Sequence, residues 1–344
     1  MKHRNNESRI AGRIGRAVVF VTGVMLAASS CSSTPGHDPL SVDPGGHLRP
    51  SSIVRLERVV DARQIAVVGG QIYLSEGWPE QQVSHWSPEG KDLGPVFERG
   101  RAPWKMLEAS EDLLDGGYGR LGLIDMRSYR LTFIDANAVQ FSKSFLVSGY
   151  EFMPLGGVSD PLHDRIYLFA NNEPEVRVLD FEGRLVDGFD LYQEEYTDPY
   201  AWFRGTVDRD GNLLYCPRTA YQISRVAPDG SVSSFATSPG PDYIPPLPLP
   251  DPVKSNPSDT ERRFEWEKTV SWIDRLASTG DYVLVSYSVP PGLEHYRVDL
   301  YSDDGTALAT RLESPGRLLG CDRDLTCWFL DSSHTRLVSR RVTS

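Results

Sequence analysis

The sequence predicts an all-β chain, a six-bladed β-propeller with four-stranded blades and a ring closed by the N-terminal strand. Three observations predict it. First, a turn residue recurs at a fixed interval: Gly90, Asn137, Gly183 and Gly230 lie 47, 46 and 47 residues apart. Gly and Asn tolerate the positive φ of tight hairpin turns. Second, six apolar segments recur along the chain, at 71–74, 112–115, 165–169, 212–215, 282–287 and 327–330. A supersecondary unit repeated every ~45 residues is the mark of a stacked or radial array. Third, the sixth unit reaches Ser344 without a fourth strand, while SIVRLERVV at 52–60 alternates apolar and polar ahead of the first unit. Pairing the two closes the ring and removes two exposed edges.

The N-terminus comes first. Lys2, Arg4, Arg9, Arg13 and Arg16 precede a short apolar run, Ala17–Ala28. At about 1.5 Å per residue that run is short for a ~30 Å bilayer core, so 1–30 reads as an export signal. Residues 31–51 are rich in Pro, Gly and Ser and read as a flexible tether. The blades follow at about 64–98, 104–147, 152–190, 201–237, 270–313, and 316–341 with 52–60. The interval from Gly230 to Gly305 is 75 residues, and the excess matches a Pro-rich insertion at about 239–268. Eight prolines between 239 and 257 keep its first half extended. Ser258-Asp259-Thr260-Glu261 reads as a capping box that opens a helix through Glu267. The insertion is expected to be a lid or docking arm.

The run Leu26-Ala27-Ala28-Ser29-Ser30-Cys31 resembles a bacterial lipoprotein signal, although Ala28 stands where that family usually has Leu. The resemblance implies lipidation of Cys31 and anchoring to a bacterial membrane through it. Gly-Arg-Ala-Pro-Trp at 100–104, Ile72-Tyr73-Leu74, Trp86-Ser87-Pro88-Glu89-Gly90 and Pro315-Gly316-Arg317 resemble the NHL-type repeat. The chain from 52 to 344 is thus similar to bacterial six-bladed propeller lipoproteins of that superfamily. Such a match speaks for fold and leaves activity open.

The net charge is −11, and with +4 in residues 1–30 the exported chain sits near −15. An acidic body without a basic stripe excludes nucleic acid as a partner. Past Cys31 three cysteines remain. Cys321 and Cys327 flank a short polar turn and are a candidate disulfide; two buried thiols on neighbouring strands are the alternative.

In a propeller the B–C and D–A loops share one face, and the A–B and C–D turns share the other. The C–D turns are short and alike. The B–C/D–A face varies, and Trp78, Arg101, Tyr118, Glu151, Asn171, Trp202, Arg218 and His334 are its candidate ligand-binding residues. The expectation is a monomeric, non-catalytic envelope protein that binds a protein, peptide or glycan there without a cofactor. No Gly-x-Ser-x-Gly elbow, HExxH helix or phosphate loop occurs. The alternative rests on six-bladed lactonases, which hold a calcium-like divalent ion with oxygen ligands. By that resemblance Glu76, Asn171 and Asp331 would be the metal ligands of a hydrolase.

Overall fold

The computed structural model describes residues 46–343, except 78–79, 101, 103–104, 107–108, 148–153, 171–174, 192–202, 237, 247–259 and 293. In chain order its strands are β1 (Leu48–Arg55), then β2 (Ala62–Val68), β3 (Gln71–Glu76), β4 (Val83–Trp86) and β5 (Asp92–Pro95). The second blade holds β6 (Ala109–Asp115), β7 (Arg120–Asp125), β8 (Arg130–Asp135) and β9 (Gln140–Leu146). The third holds β10 (Gly156–Asp160), β11 (Arg165–Phe169), β12 (Val176–Leu179) and β13 (Leu185–Phe189). The fourth holds β14 (Phe203–Val207), β15 (Leu213–Pro217), β16 (Ile223–Val226) and β17 (Val232–Ala236). After helix α1 (Thr260–Glu267) come β18 (Ile273–Ser278), β19 (Tyr282–Ser288), β20 (Tyr296–Ser302) and β21 (Ala307–Glu313). The chain ends with β22 (Gly316–Cys321), β23 (Thr326–Asp331) and β24 (Arg336–Val342).

These form six four-stranded antiparallel sheets, and the sixth has the order β1-β24-β23-β22. Each inner strand touches the inner strands of both neighbours, and β22 returns to β2. The fold is the six-bladed propeller read from the repeat. Closure begins earlier than the alternation at 52–60 suggests, because Leu48 pairs with Val342 and the register runs to Arg55 opposite Arg336. Residues 48–51 therefore belong to the strand rather than to the tether. Leu48 is buried in the seam between the fifth and sixth blades.

The core is six separate clusters, one in each seam between neighbouring blades. A middle strand faces a seam on both sides, so it reads as a continuous apolar run, as in Arg165–Phe169 (RIYLF). An outermost strand such as β13 is exposed along most of its length. The seams are stitched by polar bonds. The Tyr73 hydroxyl donates to the Ala136 carbonyl, and Tyr167 Oη donates to Gly211 O at 3.4 Å. The recurring turn carboxylates are accounted for locally. Asp180 Oδ1 accepts from the N–H groups of Glu182 and Arg184, and Asp208 Oδ1 from those of Asp210 and Asn212. They brace turns.

Cys321 and Cys327 lie directly opposite each other on β22 and β23 and are joined by a disulfide. By loop-closure entropy a bridge over six residues contributes about 2 kcal/mol. Cys321→Ala/Cys327→Ala should lower the melting temperature by about 5 °C, read by calorimetry. An unchanged value would show that β22–β23 pairing alone constrains this hairpin.

The described parts of the insertion pack on the fourth and fifth blades. Ile244 and Ser271 exchange hydrogen bonds, and Asp242 pairs with Arg311 at 2.8 Å. Helix α1 spans Thr260–Glu267, as the capping pattern predicts, and Trp272 Nε1 donates to Glu267 O at 3.1 Å. Beneath this base Asp299 is wholly buried and accepts from Tyr221 Oη at 2.6 Å, Arg311 N at 2.7 Å and Tyr287 Oη at 3.4 Å. Burial pushes this carboxyl up and outweighs those hydrogen bonds. A raised folded pKa means that the native state binds more protons than the unfolded chain above pH ~4. Stability is therefore lost as pH rises through the folded value. The wild-type melting temperature should fall relative to that of Asp299→Asn between pH ~4 and neutrality. Parallel curves would contradict this.

Candidate ligand cavity in the central channel

The channel is crossed by a buried ion pair. Arg275 on β18 reaches Asp112 on β6, with Nη1 to Oδ1 at 2.9 Å. The two strands are three blades apart in either direction around the ring, so the pair spans the full channel. Arg275 Nη2 also donates to Arg63 O at 2.7 Å, and Asp112 Oδ2 accepts from Gly157 N at 3.0 Å. Gln64 adds a second bridge, accepting from Leu113 N at 2.5 Å and donating to Leu113 O at 3.1 Å. Together these contacts plug the channel.

Above the plug, towards the B–C/D–A face, the first, fifth and sixth blades are joined by a charge network. Asp61 takes Arg63 at 2.6 Å and Arg317 at 2.8 Å, and Arg317 Nε also donates to Tyr296 Oη at 3.0 Å. A void of about 10 Å³ beside Asp112 and Arg204 is the size of one water.

Below the plug the channel widens into a cavity of about 800 Å³, within the range of ligand sites. Gln64, Leu113 and Arg275 form its blind end, and its mouth lies among the A–B turns at Gly69, Gly119, Leu162, Arg209, Asp281 and Arg323. Its walls mix apolar and charged side chains: Ile65, Val67 and Val158 stand with Asp115, Arg120 and Asp160 on the first three blades, and Leu276 and Trp328 with Thr206, Arg209 and Asp281 on the others. Arg209 is held by Asp281 at 3.2 Å and Asp303 at 3.1 Å. At the rim, burial pushes the Asp322 carboxyl up.

The sequence reading puts Tyr118 in a B–C loop, with Asp112–Asp115 as a second strand. That segment is instead the end of inner strand β6, so Tyr118 stands in an A–B turn on the opposite face, 98 % exposed. The signal for this is spacing. Gln71 precedes Gly90, Arg165 precedes Gly183 and Asn212 precedes Gly230 by nearly the same interval, from the start of the second strand to its turn residue. Arg120 stands almost that far before Asn137, whereas Asp112 stands well beyond it.

Arg218 does lie in a B–C loop, where its guanidinium covers the Trp272 ring at 5.2 Å. It supports the base of α1. His334 is in the last B–C turn, and its carbonyl accepts from Val60 N at 2.9 Å, tying the closing segment down. Trp78, Arg101, Glu151, Asn171 and Trp202 lie outside the described residues, as do Cys31 and the export signal.

The two described metal candidates each have an arginine partner. Glu76 ends β3 and is gripped by Arg58 at 2.5 and 3.0 Å. Asp331 is pushed up by burial, but Ser333, Arg336 and the N–H groups of Arg336 and Thr335 outweigh this and hold it below the usual carboxylate range. Each carboxylate is spent on a local contact. Among the described residues no group of three or more His, Cys, Asp and Glu side chains is placed to hold a metal ion.

Comparison with known proteins agrees with the architecture. A Bacteroides fragilis protein whose export is inferred superposes with a TM-score of 0.59 at 11 % identity, over 88 % of this chain and 98 % of that one. A member of the DUF4221 family from Bacteroides vulgatus gives 0.53 at 8 %, over 86 % and 97 %. A catalytically inactive virginiamycin B lyase from Staphylococcus aureus, solved with quinupristin, gives 0.51 at 10 %, over 83 % and 82 %. Likeness at such identity shows the fold. No protein-family description and no curated protein matches the sequence.

Proposed function

We propose that this protein is an exported binding propeller, without chemistry of its own, that takes its ligand into the blind central cavity. The observation that carries this reading is the cross-channel pair Arg275–Asp112, which turns a through-channel into a pocket of about 800 Å³ with one mouth. A disulfide between Cys321 and Cys327 suits an oxidising, extracytoplasmic compartment. The signal-like N-terminus and the inferred export of the Bacteroides fragilis relative in fold support the same address. Lipid anchoring through Cys31 remains part of the proposal. The metal-dependent hydrolase is the weaker reading, because Glu76 and Asp331 are each committed to an arginine.

Thr206→Trp tests the reading, since Thr206 lines the cavity and an indole there fills it. Wild type and variant are incubated with the low-molecular-mass fraction of envelope material and examined by native mass spectrometry. An added mass on the wild type and none on the folded variant is expected. The same added mass on both, or on neither, overturns the cavity as the binding site.

A further inference from the structure

The plug reveals what the channel's strand edges accept. Every inner strand is an edge of its own sheet, so alternate N–H and C=O pairs along it face the channel. At the plug, planar side chains meet them. The Gln64 carboxamide accepts from Leu113 N and donates to Leu113 O, the two-bond rung that a neighbouring strand would make. Asp112 accepts from Gly157 N, and Arg275 donates to Arg63 O. With the two-residue period of a strand, the edges of β6 and β10 face inward again at Asp115 and Ser159. Both residues line the cavity.

At the mouth stands Leu162, which is exposed and lines the cavity beside these two edges. A Cβ on Gly117 would lie 3.1 Å from Pro161, so the turns of the second and third blades abut there. Among the described lining residues the one aromatic side chain inside the cavity is Trp328. Sugar rings stack on several such platforms; open strand edges suit a peptide main chain instead.

We propose, on the basis of the cavity reading above, that the ligand is an extended peptide. Its main chain pairs with the edges at Ser159 and Asp115, and one of its apolar side chains packs against Leu162 at the mouth. This is strand addition inside a channel.

The probe is a library of acetylated, amidated hexapeptides with Phe, Tyr or Trp fixed at one position, run beside a tetramer of N-acetylglucosamine. Retention on the full-length protein is read by mass spectrometry, with Thr206→Trp and Ser159→Trp as two independent blocked forms. Peptides are expected to bind the wild type and to be lost from whichever blocked forms are folded by circular dichroism. Methylating alternate peptide nitrogens should weaken binding about tenfold, and methylating the intervening ones should change it little. Equal binding of both N-methylated series overturns main-chain pairing. Retention of the glycan alone, abolished by the blocked forms, overturns the peptide and keeps the cavity. No blocked-form-sensitive retention of any probe, together with failure of the envelope-fraction experiment, overturns the cavity reading itself.

Discussion

Asp112→Ala should lower the stability of this propeller by about 3–5 kcal/mol, the usual effect of removing one partner of a buried ion pair. Arg275 and Asp112 are 6 % and 8 % exposed, so truncation strands a guanidinium where water reaches it poorly. It also takes the acceptor from Gly157 N. For a chain of this size the melting temperature should fall by about 10 °C. The double replacement Asp112→Leu/Arg275→Met should recover most of that loss, because two apolar groups leave no charge uncompensated. The pair thus contributes little net stability while shaping the channel. Thermal and urea denaturation of the two single variants and the double variant form the required cycle. A double variant no more stable than Asp112→Ala would contradict this account.

The second large effect concerns closure. Deleting residues 48–55 should abolish the monomer, since it strips the fourth strand from the last blade and bares the edge of β24 along seven paired positions. Size-exclusion chromatography should show aggregates or chains paired through that edge. Single substitutions grade the effect. Leu48 is 2 % exposed within a seam cluster, so Leu48→Ala should cost about 3 kcal/mol. Ile53 on the same strand is 44 % exposed, and Ile53→Ala should stay within about 0.5 kcal/mol. A stable, soluble monomer from the deletion would refute the closing role of β1.

The architecture was legible because a propeller writes its middle strands and turns strongly. Runs such as RIYLF are buried on both sides, and Gly183 and Gly230 hold φ near +80° in turns that need it. The inner strands are written faintly. GGVSD and FRGTV carry few apolar residues, because one edge of each faces a polar channel, and the reading of the second blade slips there, carrying Tyr118 to the wrong face. The cavity was not legible at all. Its plug joins Asp112 to Arg275 across 163 residues of sequence, and no local pattern announces such a pairing. Glu76 and Asp331 have the chemistry for a metal, and each also has an arginine partner that the sequence does not announce. Arg58 and Arg336 claim them only once the chain is folded.

The six seam cores carry a further consequence, for how such a protein can change. The apolar side chains that hold one blade to the next point into the seams, whereas Thr206, Ser278 and Ser159 point into the channel. Lineages or designers can therefore vary these polar channel-lining positions while the seam set holds the ring together. Ile65 and Leu276 belong to both sets, so recognition and durability separate at the polar positions. The scaffold can acquire a new ligand through a handful of substitutions and keep its shape.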